Sequence, residues 1–107
     1  MLPLNTVSSI GAFLADSLAE RAFFAALGKL KFGSLQVENH DGRIKDFSSG
    51  ISGPHGHLRV NSASFYRRML TGGEIAFGEM YQQRTCDSSD LVSLLQLAIV
   101  NRQAINL

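Results

Sequence analysis

Tryptophan is absent from this chain, cysteine occurs once and proline only twice. A lone thiol, Cys86, forms neither an internal disulfide nor a cysteine-rich zinc site. The fold therefore rests on packing, and a reducing compartment is the expected one. Charge is scarce as well. A formal net charge of +1 supplies no long-range field to gather nucleic acid or an anionic membrane, which leaves only a local basic patch such as Arg67 and Arg68; no nucleic-acid partner is expected. The N-terminus, Met1-Leu2-Pro3-Leu4-Asn5-Thr6, lacks the basic region and apolar core of a signal peptide. The longest apolar run, Ala22 to Leu27, falls far short of the about 20 residues that span a bilayer. A cytoplasmic location is the expectation.

What is present suits one globular domain. At 107 residues the chain can bury a single core, and 45% apolar residues rule out a disordered composition. Thr6 to about Leu30 reads as a helix, with Ile10, Phe13, Leu14, Leu18 and Ala22 at helical spacing and Gly28 as a stop. Phe23, Phe24 and Leu27 widen its apolar face beyond what one side of a helix buries in a small domain. Gly33 to Glu38 alternates apolar and polar residues, as a half-buried strand does. Asp41-Gly42 then predicts a hairpin turn, with Arg43 to Phe47 as the return strand. A Ser/Gly loop leads to a third strand over His55 to Asn61. Ser62 to Leu70 reads as a short helix ended by Thr71-Gly72-Gly73. Glu74 to Gln83 has no clean period and suggests a short strand followed by a helical turn. Arg84 to Ser89 reads as loop, before a last helix from Asp90 to about Arg102 whose cap is Asp87, Ser88 or Ser89. Clustered strands between helices predict an α+β fold with a small antiparallel sheet and about three helices.

No constellation of enzyme chemistry emerges, and no catalytic, metal or cofactor residue is assigned. The glycine clusters Gly50 to Gly56 and Gly72 to Gly78 lack the strand-to-helix context of a nucleotide loop. His55 and His57, near His40 and Asp41, have no third ligand fixed by a motif. Cys86 has no base beside it in the sequence and reads as an inert, partly exposed thiol. Glu74 and Glu79 flank Ile75-Ala76-Phe77 with no partner for acid-base work, and Glu79 reads as a hydrogen-bonded structural carboxylate.

One arrangement is more specific. It runs Gly33-x-Leu35-x-Val37, Asp41-Gly42, Phe47, Gly53-Pro54, Leu58-x-Val60, Phe65-Tyr66-Arg67-Arg68 and Gly72-Gly73. It closes on Ile75-Ala76-Phe77-Gly78-Glu79-Met80-Tyr81 and Asp90-Leu91. This resembles the N-terminal region of the cyclopropane-fatty-acyl-phospholipid synthase family, from about Gly33 to Asn101. The departure is after Tyr81, where a Gly and a Trp-containing turn are usual and Gln82-Gln83-Arg84-Thr85-Cys86 stands instead.

The resemblance implies a single non-catalytic N-terminal domain over residues 1–107, with a lipid-carrier fold of the sterol carrier type. The S-adenosylmethionine-dependent methyltransferase domain, with its cofactor, is expected downstream of this chain. It also implies a phospholipid or membrane surface as partner, with peripheral attachment to the inner membrane. An apolar groove for an acyl chain would be lined by Phe65, Tyr66, Met69, Phe77 and Tyr81, with Glu79 beside it and Arg67 and Arg68 meeting a phosphate headgroup. The alternative is a structural module that packs on the methyltransferase domain, in cis or in trans, or forms a homodimer contact.

Overall fold

The computed structural model describes residues 4–105, with side chains from residue 10 onward. The alanine- and leucine-rich opening forms α1 (Leu4–Leu27), whose inward side chains Ala19, Phe23 and Leu27 recur at helical spacing and are buried. The helix stops at Gly28, whose N–H still reaches the Phe24 carbonyl at 3.1 Å. Two strands follow, β1 (Ser34–Glu38) and β2 (Ile44–Ser48), paired antiparallel with Glu38 opposite Ile44. The turn between them uses the Asp-Gly pair as expected: Gly42 N–H donates to the Asn39 carbonyl at 3.0 Å and Arg43 N–H to Asp41 Oδ1 at 3.0 Å.

The third strand, β3 (His55–Val60), lies on the far side of β1 and runs parallel to it. With β4 (Cys86–Asp87) the sheet order is β2-β1-β3-β4. The fold is α+β, but the sheet is mixed instead of wholly antiparallel. The cause lies in residues 49–54, which wrap around the start of β1. Ser49 N–H donates to the Gly33 carbonyl, Gly33 N–H to the Ile51 carbonyl, and Ser34 N–H to the Pro54 carbonyl. That crossing delivers β3 to the opposite edge of β1 in the same direction.

One sheet face carries Leu35, Val37, Leu58 and Val60, all buried, and the helices pack on it. The other carries Ser34, Gln36, Glu38, His57 and Arg59. Strict alternation along β1 and β3 thus sorts apolar from polar residues between the two faces. Gly56, on the packed face, sits under Leu94 and Leu97 of α3 (Leu91–Val100).

The segment after β3, α2 (Ser64–Gln82), consists of two helical stretches that meet at a break. The first stops at Thr71-Gly72-Gly73, as the sequence signals: Gly73 takes φ 55° and ψ −136°, a non-helical conformation that favours glycine. A second helical stretch follows at once, and it buries Ala76 and Met80 in the core. Residues expected in a strand from Glu74 onward are therefore helical. The N-cap is Ala63 and offers no side-chain cap bond, although Ser64 N–H reaches Ser62 Oγ at 3.3 Å.

At its far end α2 closes in a paired cap. Thr85 N–H donates to the Met80 carbonyl at 2.8 Å and Arg84 N–H to the Tyr81 carbonyl at 3.2 Å, with Arg84 left-handed at φ 62°. This position favours glycine, since a Cβ there costs about 1–2 kcal/mol. Arg84→Gly is expected to stabilise the domain by roughly 0.5–1 kcal/mol, after the extra freedom of the unfolded glycine is subtracted. Thermal denaturation would show a rise of several degrees, and an unchanged or lower midpoint would refute it.

Helix α3 begins at a cap that the sequence reading placed one to three residues too early. Asp90 itself accepts from Ser93 N–H at 3.1 Å and from Ser93 Oγ at 2.8 Å. Those bonds, the backbone one first, hold its carboxyl below the usual range. A short α4 (Arg102–Ile105) follows. At the junction Asn101 is a buried polar side chain with every bond satisfied. Its Oδ1 accepts from Lys31 N–H at 2.8 Å and Phe32 N–H at 3.0 Å, and its Nδ2 donates to the Phe32 and Leu97 carbonyls, both at 2.9 Å.

Candidate functional site

All eight residues expected to engage lipid lie on α2, and they divide by depth. Phe65 and Tyr66 are fully buried. Their rings meet Phe23 of α1 at 5.7 and 5.4 Å between centroids, in edge-on and tilted contacts that favour aromatic packing. Tyr66 donates its hydroxyl to Asn39 Oδ1 at 2.8 Å, and Asn39 Nδ2 in turn bonds Glu20 of α1. Burial, reinforced by Glu20 and Asp41, raises the phenol's pKa well above its ordinary value. Met69, Phe77 and Tyr81 are half-buried against the same core. Phe77 and Tyr81, one turn apart, stack at 6.3 Å.

The basic pair is engaged within the domain. Arg67 Nε lies 3.5 Å from Asp16 Oδ1 of α1, and this ion pair is the only partner of that buried oxygen among the described residues. Arg68 donates to Gln83 Oε1 at 3.1 Å and lies 3.9 Å from Glu79. The structure thus joins Arg68 to Glu79, ties Arg67 to α1, and sets Phe65 and Tyr66 in the interior.

Two surface depressions occur elsewhere. One of about 330 Å³ is lined by Glu38, Asn39, His40, Ile44, Arg59 and Asn61, and one of about 120 Å³ by His57, Arg59, Asp87, Ser88 and Ser89. Both border a hydrogen-bonded group on the polar sheet face. Glu38 accepts from Arg59 Nε at 2.9 Å and pairs with His57 Nε2 at 3.1 Å. Ser89 N–H donates to His57 Nδ1 at 3.0 Å, which assigns the ring proton to Nε2 and points it at Glu38. The His57 bond foremost, then Arg59, holds the Glu38 carboxyl below its usual range. Next along the face, Ser34 Oγ and His55 Nδ1 pair in register. Among the described residues, no group of three or more histidines, cysteines and carboxylates gathers to hold a metal ion. Cys86 is buried on β4 rather than partly exposed, and burial, with Asp87 beside it, pushes its thiol up to about 11. A protonated, enclosed thiol is a poor nucleophile.

The most distinctive surfaces are apolar and helical. The molecule is 55 Å long and about 25 Å across. Opposite the buried side of α1, Ile10, Phe13, Leu14 and Leu18 form an exposed stripe, with Phe13 at 69% exposure. Exposed Arg21 continues its line, while exposed Lys45 of β2 sits 4.8 Å over the Phe24 ring. The acids of α1 are occupied on its inner side, Asp16 with Arg67 and Glu20 with Asn39. A second apolar surface lies on α3, where Val92, Leu95 and Ile99 are exposed. The helical spacing of the α1 stripe was legible in the sequence, but its outward orientation follows from Phe23 and Leu27 occupying the core. Comparison with protein-family models, curated proteins and solved structures returned no match.

Proposed function

We propose that this chain is a non-catalytic domain that engages phospholipid, laying the outer face of α1 on an anionic membrane surface. The observation that carries this reading is the pairing of an exposed apolar stripe with Arg21 and Lys45, which form no ion pair among the described residues, while both acids of the helix are turned inward. A helix of that kind binds at a lipid interface by burying its apolar face and attracting anionic headgroups. No helix of the described residues is long and apolar enough to cross a membrane, so α1 would lie along the surface. The resemblance to the cyclopropane-fatty-acyl-phospholipid synthase family supports the same role, with an S-adenosylmethionine-dependent lipid methyltransferase domain as the catalytic partner in cis or in trans. Buried Phe65 and Tyr66 shift the lipid contact from α2 to α1. The exposed face of α3 favours a second reading, a structural module with a protein partner.

The test is flotation of the purified chain with vesicles of phosphatidylcholine alone and with added phosphatidylglycerol. The chain is expected to float with the anionic vesicles and to be released by salt, which screens surface charge. Phe13→Asp is expected to lower binding at least about tenfold, roughly 1.4 kcal/mol, and to leave the circular dichroism spectrum unchanged because Phe13 is outside the core. Lys45→Glu should weaken it about fivefold or more, since each basic residue near an anionic surface contributes about 1 kcal/mol. Sedimentation without vesicles in both mixtures would overturn the reading.

A further inference from the structure

We infer that α1 selects strongly curved bilayers, whose loosely packed headgroups leave hydrocarbon open to the bulky side chains of its outer face. The inference rests on the lipid reading above and names the kind of membrane that face takes. An interfacial helix is held by burial of its apolar side chains and by attraction of its cations to anionic headgroups, and its binding is sensitive to curvature. On α1 the balance leans to burial. The first charged residue of the chain is Asp16. Its Oδ1 faces Arg67 of α2, so it gives the outer face no charge. The cations beside the stripe are Arg21 and Lys45. Against these two stand Ile10, Phe13, Leu14 and Leu18, all exposed.

The helix also projects far enough to insert. Ala12 stands in helical line with Asp16, Ala19 and Phe23 on the inner face, yet Ala12 is exposed. Every residue from Ile10 to Leu14 is exposed, and a Cβ added at Gly11 meets nothing within 4 Å. This stretch has left the body of the domain. No neighbouring segment among the described residues stands between Phe13 or Leu14 and a bilayer.

A flat, tightly packed bilayer closes its headgroups over the hydrocarbon. Seating a phenyl ring there means prying headgroups apart, whereas bending the outer leaflet opens gaps beforehand. A helix with many lysines on its polar face would hold a flat anionic surface through charge. Two cations give this helix a weaker hold, so its affinity follows the gaps.

The test is titration of the purified chain with phosphatidylcholine–phosphatidylglycerol vesicles of one composition, about 50 nm and about 400 nm across and matched in outer-leaflet lipid. Flotation should show binding to the small vesicles at least about fivefold tighter. Phe13→Ala should lower that ratio by about half or more, because the ring is what the gaps admit. Its circular dichroism spectrum should be unchanged, since Phe13 stands outside the core. Lys45→Glu should weaken both sizes alike and preserve the ratio, because the lipid charge is the same on each. Equal affinity for the two sizes would overturn the inference and leave the lipid reading standing, whereas no flotation with either would remove both. A ratio untouched by Phe13→Ala would also overturn it, since ring insertion would then play no part. So would a ratio lost in Lys45→Glu, since charge would then set the preference.

Discussion

Gly33→Ala is expected to destabilise the domain by about 3–5 kcal/mol, much of the roughly 5–15 kcal/mol available to a chain of this size. Gly33 holds φ +76°, where a Cβ costs about 1–2 kcal/mol before any contact is considered. The new Cβ would also stand 2.1 Å from the Pro54 carbonyl oxygen and 2.9 Å from Leu97 Cδ1. A leucine tip can swing away, but the carbonyl belongs to a backbone bonded to Ser34 N–H at 3.1 Å. Relief therefore means displacing the 49–54 crossing, and overpacking of this kind costs typically about 1–3 kcal/mol more. Urea denaturation would read the loss as a lower midpoint. Gly42→Ala makes a sharp control. Gly42 has φ +87°, yet a Cβ there meets nothing within 4 Å, so only the conformational penalty remains. Equal losses in the two variants would refute the close-approach argument.

Asn101→Ala is expected to cost about 3–4 kcal/mol. The substitution leaves the N–H groups of Lys31 and Phe32 and the Phe32 carbonyl without their partner. Lys31 and Phe32 are exposed residues and their bonds to Asn101 are only part-buried, so each group left unsatisfied costs toward the lower end of about 1–3 kcal/mol. The Leu97 carbonyl fares better, since it also accepts from the Asn101 backbone N–H at 3.2 Å. Hydrogen exchange gives a local check: the amides of Lys31 and Phe32 should lose protection more than those of β3. Retained protection at those two amides would show that water replaces the side chain at little cost.

Alternation along β1 and β3, the Asp-Gly turn and the existence of the first and last helices were legible because each is local, but the faces those helices bury were not. Ile10, Phe13, Leu14 and Leu18 are exposed while Ala19, Phe23 and Leu27 are buried, and Leu95, Ala98 and Ile99 are exposed while Leu97 is buried. The Gly72-Gly73 stop was legible too, since Gly73 does break the helix. What was not legible is that Glu74 onward resumes as helix, because that depends on the burial of Ala76 and Met80 by distant segments. The parallel course of β3 was hidden for a related reason. Direction is set by contacts of Gly33 with residues 49–54, and no pattern within either segment records them. At two residues, β4 is too short for a period to appear. The candidate lipid residues illustrate a further limit. Phe65, Tyr66 and Met69 have the same apolar spacing whether they line a groove or fill a core, and the deciding fact is the position of Phe23 and Phe24 from another helix. Asn101 gave no signal either, since the sequence places it within the last helix, and a lone helical asparagine carries no sign of the Lys31 and Phe32 backbone it clamps.

The Asn101 clamp has a consequence for how the chain emerges from the ribosome. Its partner Lys31 lies 70 residues earlier in the sequence. At the usual pace of synthesis, about 5–20 residues per second, the loop before β1 waits roughly 4–14 s for its anchor. Over most of that interval Leu94 and Leu97 are also missing, so Leu35 and Gly56 have no lid above them. The nascent domain thus presents a bare strip of sheet until its last helix is made. Chaperone engagement should concentrate on intermediates that already contain β3 but stop short of α3, and fall once Asn101 has cleared the exit tunnel.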